Sequence, residues 1–154
     1  MSRVVDKKIS ISSRSTAKFF ENRAERFNPD HPLTATSYQD MHPEIAAARD
    51  IVERSKILPL LALTGHERVM DIGCGTGRWL SAIHDRISFG WGIDASRGLI
   101  DLARKLCPFD NVVFSVSDVD SFGNKIFEEK EKFDRFIISG VLLYLNDEQV
   151  ENIF

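Results

Sequence analysis

The stretch Val69-Met70-Asp71-Ile72-Gly73-Cys74-Gly75-Thr76-Gly77-Arg78-Trp79 constrains this chain more than any other. Val69, Met70 and Ile72 form a brief apolar run, as a strand covered on both faces requires. Asp71 interrupts that run where the strand should end, and a carboxylate there is costly to bury unless something pairs with it. Gly73, Gly75 and Gly77, at every second position, let the backbone turn sharply and come close to a ligand. Trp79, Leu80, Ile83 and Ile87 continue at helical spacing. A strand, a turn and a helix start thus bring a carboxylate, bare backbone and a helix N-terminus to one place. That combination suits a polar ligand with both positive and anionic groups.

A chain of 154 residues makes one domain with a real core. Its 43% hydrophobic and 28% charged residues are ordinary for a soluble globular protein. A net charge of −3 offers no electrostatic reason to expect nucleic acid or an anionic membrane as partner. No apolar run is long enough to span a bilayer, and the first fifteen residues lack the apolar core of a signal peptide. Two cysteines, Cys74 and Cys107, make neither a disulfide framework nor a metal cluster. The expectation is a cytoplasmic protein with no metal, no nucleic-acid partner and no membrane partner.

Residues 1–15 read as a loose tail and 16–63 as a helical lead-in or lid. Thr16 is the expected cap of a helix over Ala17 to Phe27, with Ala17, Phe20, Ala24 and Phe27 on one face. A loop over 28–41 leads to Pro43, placed as a first helical residue. Ile45, Ala48, Val52 and Leu58 predict the apolar stripe of the helix that follows, and Pro59 kinks or restarts it. Residues 64–154 hold the core. There a second strand over Phe89 to Ile93 ends at Asp94. Ser96 is expected to cap a helix over Arg97 to Leu106, and a third strand over Val112 to Val116 ends near Asp118. A short helix and a charged turn are expected over Phe122 to Lys132. A fourth strand over Phe133 to Ile138 ends at Ser139-Gly140, and Asn146 is placed as the cap of a last helix. Strands alternating with helices imply an α/β fold, a parallel sheet covered on both faces, with ligands bound beyond the carboxyl ends of its strands. Asp71, Asp94 and Asp118 then line one crevice with Ser139.

Two glycine patterns compete. The dinucleotide fingerprint G-x-G-x-x-G wants its third glycine where Arg78 stands. The pattern Asp-x-Gly-x-Gly-x-Gly resembles instead the first motif of class I S-adenosylmethionine-dependent methyltransferases. Phe133 to Leu145 resembles the family's fourth motif, and Phe19 to Phe27 with Tyr38-Gln39-Asp40 is similar to the helical lead-in of its small-molecule members, including those of sugar and surface-glycan pathways. The resemblance implies a Rossmann-like sheet in the order third-second-first-fourth and S-adenosyl-L-methionine as cofactor. By resemblance, Gly73, Cys74, Gly75, Thr76 and Gly77 hold its methionine portion and ribose, and Asp71 orients the turn and meets the ammonium, often through water. Asp94 takes the ribose hydroxyls with Ala95 beside it, Asp118 and Val119 meet the adenine, and the Ser139 carbonyl meets the ammonium. Ile93, Ala95 and Leu142 either sandwich the adenine or pack below it.

The activity implied is methyl transfer to a small-molecule acceptor, such as a sugar or surface-glycan precursor. A binding module that holds the cofactor without turnover is the alternative, and a nicotinamide-dependent oxidoreductase a weaker one. A base is needed only for a poor nucleophile; His31, Tyr38, His42 and Tyr144 are the candidates. The family's sheet has seven strands and this chain supplies four. The C-terminal part of the family sheet is therefore expected to be absent, leaving Phe133, Phe136 and Ile138 on an uncovered edge. A second copy of the chain or a further C-terminal segment is expected to cover it.

Overall fold

A computed structural model describes residues 10–37, 41–117, 132–151 and 153. Four parallel strands, β1 (Arg68–Ile72), β2 (Phe89–Asp94), β3 (Val112–Val116) and β4 (Arg135–Ile137), form one sheet in the order β3-β2-β1-β4. β1 lies in the middle, with Asp71 opposite Gly92 of β2 and Ile137 of β4. Successive side chains of a strand face opposite ways, so the sheet divides the core. Val69 packs with Trp79, Leu80, Ile83, Ile100 and Phe114 on one face. Met70 and Ile72 pack with Ile93, Phe133 and Leu145 on the other.

The helices are α1 (Ser13–Glu25), α2 (Pro43–Ile57), α3 (Arg78–Ile83), α4 (Arg97–Leu106) and α5 (Asp147–Glu151). α4, β2 and β3 keep the boundaries their sequence patterns predict, and β1 runs one residue past Asp71, to Ile72. Ser96 caps α4, its hydroxyl accepting from the Leu99 N–H at 3.1 Å. α1 begins at Ser13, ahead of Thr16, because Ser12 caps it and accepts from the Ser15 N–H. Asn146 does not cap α5 with its side chain, which reaches the backbone of Ile11. The charged stretch expected over Phe122 to Lys132 lies, apart from Lys132, outside the described residues.

α2 follows its sequence reading only at its C-terminal end. Of its predicted apolar stripe, Ile45, Ala48 and Val52 are exposed, Leu58 just past the helix packs against the core, and Ala46 is the helix's buried residue. Asp50 and Glu53 turn inward to meet Arg78. Charge pairing has decided the rotation of this helix over apolar burial.

The β4 edge also differs. β4 pairs with β1 alone among the described strands. Of the three residues placed on its edge, Phe136 is exposed, Ile138 is half-buried and Phe133 is buried against Phe89 and Trp91. Strand side chains stand on the faces of a sheet, so neighbours on the face set their burial. No described helix is long and apolar enough to cross a membrane.

Glu67 sets the entry to β1. Its carboxylate accepts from the Thr64 N–H at 2.8 Å, the Thr64 hydroxyl at 2.7 Å and the Gly65 N–H at 3.2 Å. The Thr64 hydroxyl and backbone hold its carboxyl down to about 2, against an ordinary 4.5. Such a group contributes stability that is present above about pH 4.5 and lost as pH falls toward 2. Glu67→Gln should flatten that part of the acid-unfolding curve, and an unchanged acid slope in circular dichroism would show that the turn does not rely on the charge.

Candidate functional site

The carboxyl ends of the strands open into a crevice of about 780 Å³, walled by α1, α2, the glycine turn and the segment after β4. The turn leaves β1 through Gly73, Gly75 and Gly77, all at positive φ (69°, 55° and 78°), where a side chain is strained. The walls press on it as well. A Cβ at Gly73 would lie 2.1 Å from Val141 Cγ2, and one at Gly75 2.6 Å from Thr36 Cγ2. Neighbouring protein therefore demands glycine at both positions, before any ligand is considered. The Cys74 N–H donates to the Ile93 carbonyl and the Gly77 N–H to the Cys74 carbonyl, each at 2.9 Å.

Asp94 closes β2 and holds two segments at once. One oxygen accepts from the Gly75 N–H at 3.0 Å and the other from the Ser96 N–H at 2.9 Å. Burial raises its carboxyl pKa, and these hydrogen bonds oppose the rise. Each oxygen keeps acceptor capacity for a further donor.

Asp71 is 1% exposed, and its Oδ2 has no hydrogen-bond partner among the described residues. Burial pushes its carboxyl up to about 7; Arg78 opposes that shift and Asp94 adds to it. A buried acceptor without a donor is costly, and Asp71 lies behind the turn rather than in the crevice lining. Burial also pushes the Cys74 thiol up, with the Asp71 and Asp94 charges adding. Burial and those charges therefore keep the group in its thiol form.

Arg78 is a fork. Nη1 meets Asp50 at 2.5 Å, and Nη2 meets Glu53 at 2.8 Å and the Ser139 hydroxyl at 3.1 Å. Its guanidinium stacks over Trp79, 4.4 Å from the ring centroid. Burial would raise Glu53, but Arg49 and Arg78 outweigh it and hold the carboxyl below its ordinary value. On the far wall, Arg23 donates to the carbonyls of Thr34, Ala35 and Ser37. It thereby fastens the loop carrying Thr36 to α1.

Of the residues singled out in the sequence, Gly73, Cys74, Gly75, Asp94, Ala95, Ser139 and Tyr144 line the crevice, with Ile93 beside them. Asp71, Thr76 and Gly77 are buried behind the turn. Leu142 is exposed and not part of the lining. His31 and His42 are exposed residues ahead of a 3-10 turn and of α2, away from the crevice lining, and His42 pairs with Glu44 at 3.1 Å. Tyr144 sits edge-on to Phe20, ring centroids 5.2 Å apart. Tyr38, Asp118 and Val119 fall outside the described residues. The sequence reading missed Glu21, Asp50, Glu53 and the role of Arg78. Asp50 and Glu53, three apart on one helix face, were the available signal; for Glu21 there was none.

Residues 69–154 match the family described as Methyltransferase domain. No protein of curated function matches the chain by sequence. Among solved structures, phosphoethanolamine N-methyltransferase 1 of Haemonchus contortus, in complex with phosphoethanolamine and S-adenosylhomocysteine, superposes with a TM-score of 0.67 at 15% identity. That match covers 93% of this chain and 29% of that one. Magnesium protoporphyrin IX methyltransferase from Synechocystis PCC 6803, with bound S-adenosylhomocysteine, gives 0.66 at 18% identity over 92% and 64%. An S-adenosylmethionine-dependent methyltransferase from Mesorhizobium loti gives 0.51 at 23% over 66% and 48%. At these identities the likeness is one of fold, and the chain spans less than two thirds of each.

Two outcomes follow from the charges. Removing one partner of a buried pair costs about 3–5 kcal/mol. The side chains here are 12–25% exposed, so Arg78→Ala should cost about 2–3 kcal/mol in urea unfolding at constant slope. A loss below about 0.5 kcal/mol would rank the fork with ordinary surface pairs. Asp71, titrating near 7 rather than at 3.8, keeps a proton that the unfolded chain releases. Its contribution to stability therefore falls as pH rises from about 4 to about 7 and is level beyond. Asp71→Asn should accordingly resist urea better than the wild type at about pH 8, and equal or lower resistance would reveal a partner for the carboxylate.

Proposed function

The chain belongs to the methyltransferase domain family, and from that premise we propose that its crevice binds S-adenosylmethionine and serves methyl transfer to a small-molecule acceptor. The observation that carries this reading is Asp94, whose carboxylate lines the crevice at the end of β2 and holds the glycine turn through the Gly75 N–H. The Ser139 carbonyl, on the crevice wall, would accept from the ammonium of the cofactor's methionine portion, and the charge of Asp71 behind the turn would favour that group. Asp94, with spare acceptor capacity on both oxygens, suits the ribose diol. Ile93 and Leu99 offer apolar surface to the adenine, and Asp118 and Val119 remain its proposed polar contacts.

When bound, the cofactor supplies a methyl group on an already activated sulfonium. The chain's part is to hold an acceptor lone pair in line with that methyl and to exclude water. An acceptor that is a poor nucleophile would also need a residue of the chain to take its proton. Tyr144 is the one candidate base that lines the crevice among the described residues. A small-molecule acceptor is supported by a crevice walled by α1 and by solved neighbours that include enzymes named for phosphoethanolamine and magnesium protoporphyrin IX. The sugar or glycan class rests on the lead-in resemblance alone.

S-adenosylhomocysteine should raise the melting temperature and NAD should not, since a ligand specific to the native state stabilises it by mass action. Stabilisation by NAD alone would overturn the cofactor reading. Asp94→Ala should weaken S-adenosylhomocysteine binding by ~1.5–3 kcal/mol, the scale of hydrogen bonds to a charged group, measured by calorimetry below both melting midpoints. Unchanged affinity would remove the ribose role. Transfer of a labelled methyl group to a panel of small acceptors separates the enzyme from a module that binds without turnover.

A further inference from the structure

We propose that Glu21 is a positioning residue that latches α1 over the crevice, acting through Ser96 on Asp94, and thereby governs ligand exchange. The inference rests on the reading of the crevice as the cofactor site. α1 is a strap with two anchors. At its start, Asn146 takes both backbone groups of Ile11: Nδ2 donates to the carbonyl and Oδ1 accepts from the N–H, each at 2.8 Å. Gln149 Nε2 donates to the Ser13 hydroxyl at 3.0 Å. Toward its other end, Glu21 accepts from the Ser96 hydroxyl at 2.7 Å and from the Gly98 N–H at 3.0 Å. Thr16, Ala17 and Phe20, between the anchors, line the crevice.

The two anchors differ in kind. The one on α5 joins neutral amides and hydroxyls. The one on α4 sets a carboxylate on the first turn of a ten-residue helix, where the bonds are charge-assisted and the helix dipole favours them. The Ser96 hydroxyl and the Gly98 N–H hold the Glu21 carboxyl below its ordinary value, with Arg97 adding to them. Ser96 is the joint, because its own N–H is held by Asp94. The strap is thus two hydrogen bonds from the carboxylate that would take the ribose. Gly98 shows how close the docking is. A Cβ there would lie 2.8 Å from Ala24 Cβ and 3.0 Å from Glu21 Oε1, so any side chain would prop α1 away from α4.

That geometry supplies two unrelated ways to open the latch, Glu21→Ala and Gly98→Ala. In the ligand-free chain, hydrogen exchange of the α1 amides from Ala17 to Glu25 should speed up about tenfold in each, the loss expected of one charged hydrogen bond. The amides of β1 and β2 should keep their wild-type rates. Glu21→Gln, which still accepts from Ser96, should fall between wild type and Glu21→Ala. With S-adenosylhomocysteine as probe, stopped-flow dissociation should be about tenfold faster in both alanine variants. Unchanged α1 exchange in both variants overturns the latch, and so does exchange raised equally in β1 and β2, which marks global destabilisation. A loosened α1 with unchanged dissociation overturns the control of ligand exchange. Failure of the wild type to bind the probe sinks the cofactor reading and the exchange claim with it, while α1 exchange still decides whether Glu21 holds the strap.

Discussion

The Asp94 carboxylate is the contact on which the rest of the crevice depends. Its two oxygens hold the N–H groups of Gly75 and Ser96, so a turn of positive-φ glycines and the first turn of α4 share one acceptor. Through Ser96 the same group reaches Glu21 of α1. Three segments distant in the chain converge on one charge at the end of one strand. Hydrogen bonds to a charged group contribute about 1.5–3 kcal/mol each, and a carboxylate at this depth would be costly without them. The conformation of the turn and the position of the strap are thus consequences of satisfying Asp94.

Asp71 is the opposite case. It sits one strand away, sealed in the sheet, and the nearest cation is already engaged. Arg78 gives its donors to Asp50, Glu53 and Ser139, which leaves Asp71 only its distant field. A buried carboxylate oxygen without a donor among the described residues is therefore a cost that the fold carries behind the turn. The same commitment of Arg78 explains α2. A helix with Ile45 and Val52 on one side and Asp50 and Glu53 on the other would ordinarily bury the first pair. Two hydrogen bonds from one guanidinium, to Asp50 and Glu53, turn them inward instead.

The sheet was legible in the sequence because its information is local. Short apolar runs ending at Asp71, Asp94 and Val116, with Ser96 before a helical period, define the strands and α4 without reference to distant residues. The family's motif carried the strand order. The start of α1 was misplaced because Ser12 and Thr16 are both good caps and propensity does not choose between them. The orientation of α2 was illegible because it depends on a partner more than twenty residues away. Asn146 was read as a cap for the same reason: its competing partner, the backbone of Ile11, lies at the far end of the chain.

By itself the sequence determined the parallel sheet, the glycine turn and the set of carboxylates brought to one end, since strand period, glycine spacing and capping are properties of neighbouring residues. Tertiary structure alone decided which of those groups are satisfied and which are not. Asp94 is bonded and Asp71 is orphaned, although both are aspartates at or near strand ends. Only the packed protein sets which N–H groups and which guanidinium come within reach of a buried oxygen. Glu21 became part of the site in the same way, because α1 crosses the crevice and ends against α4.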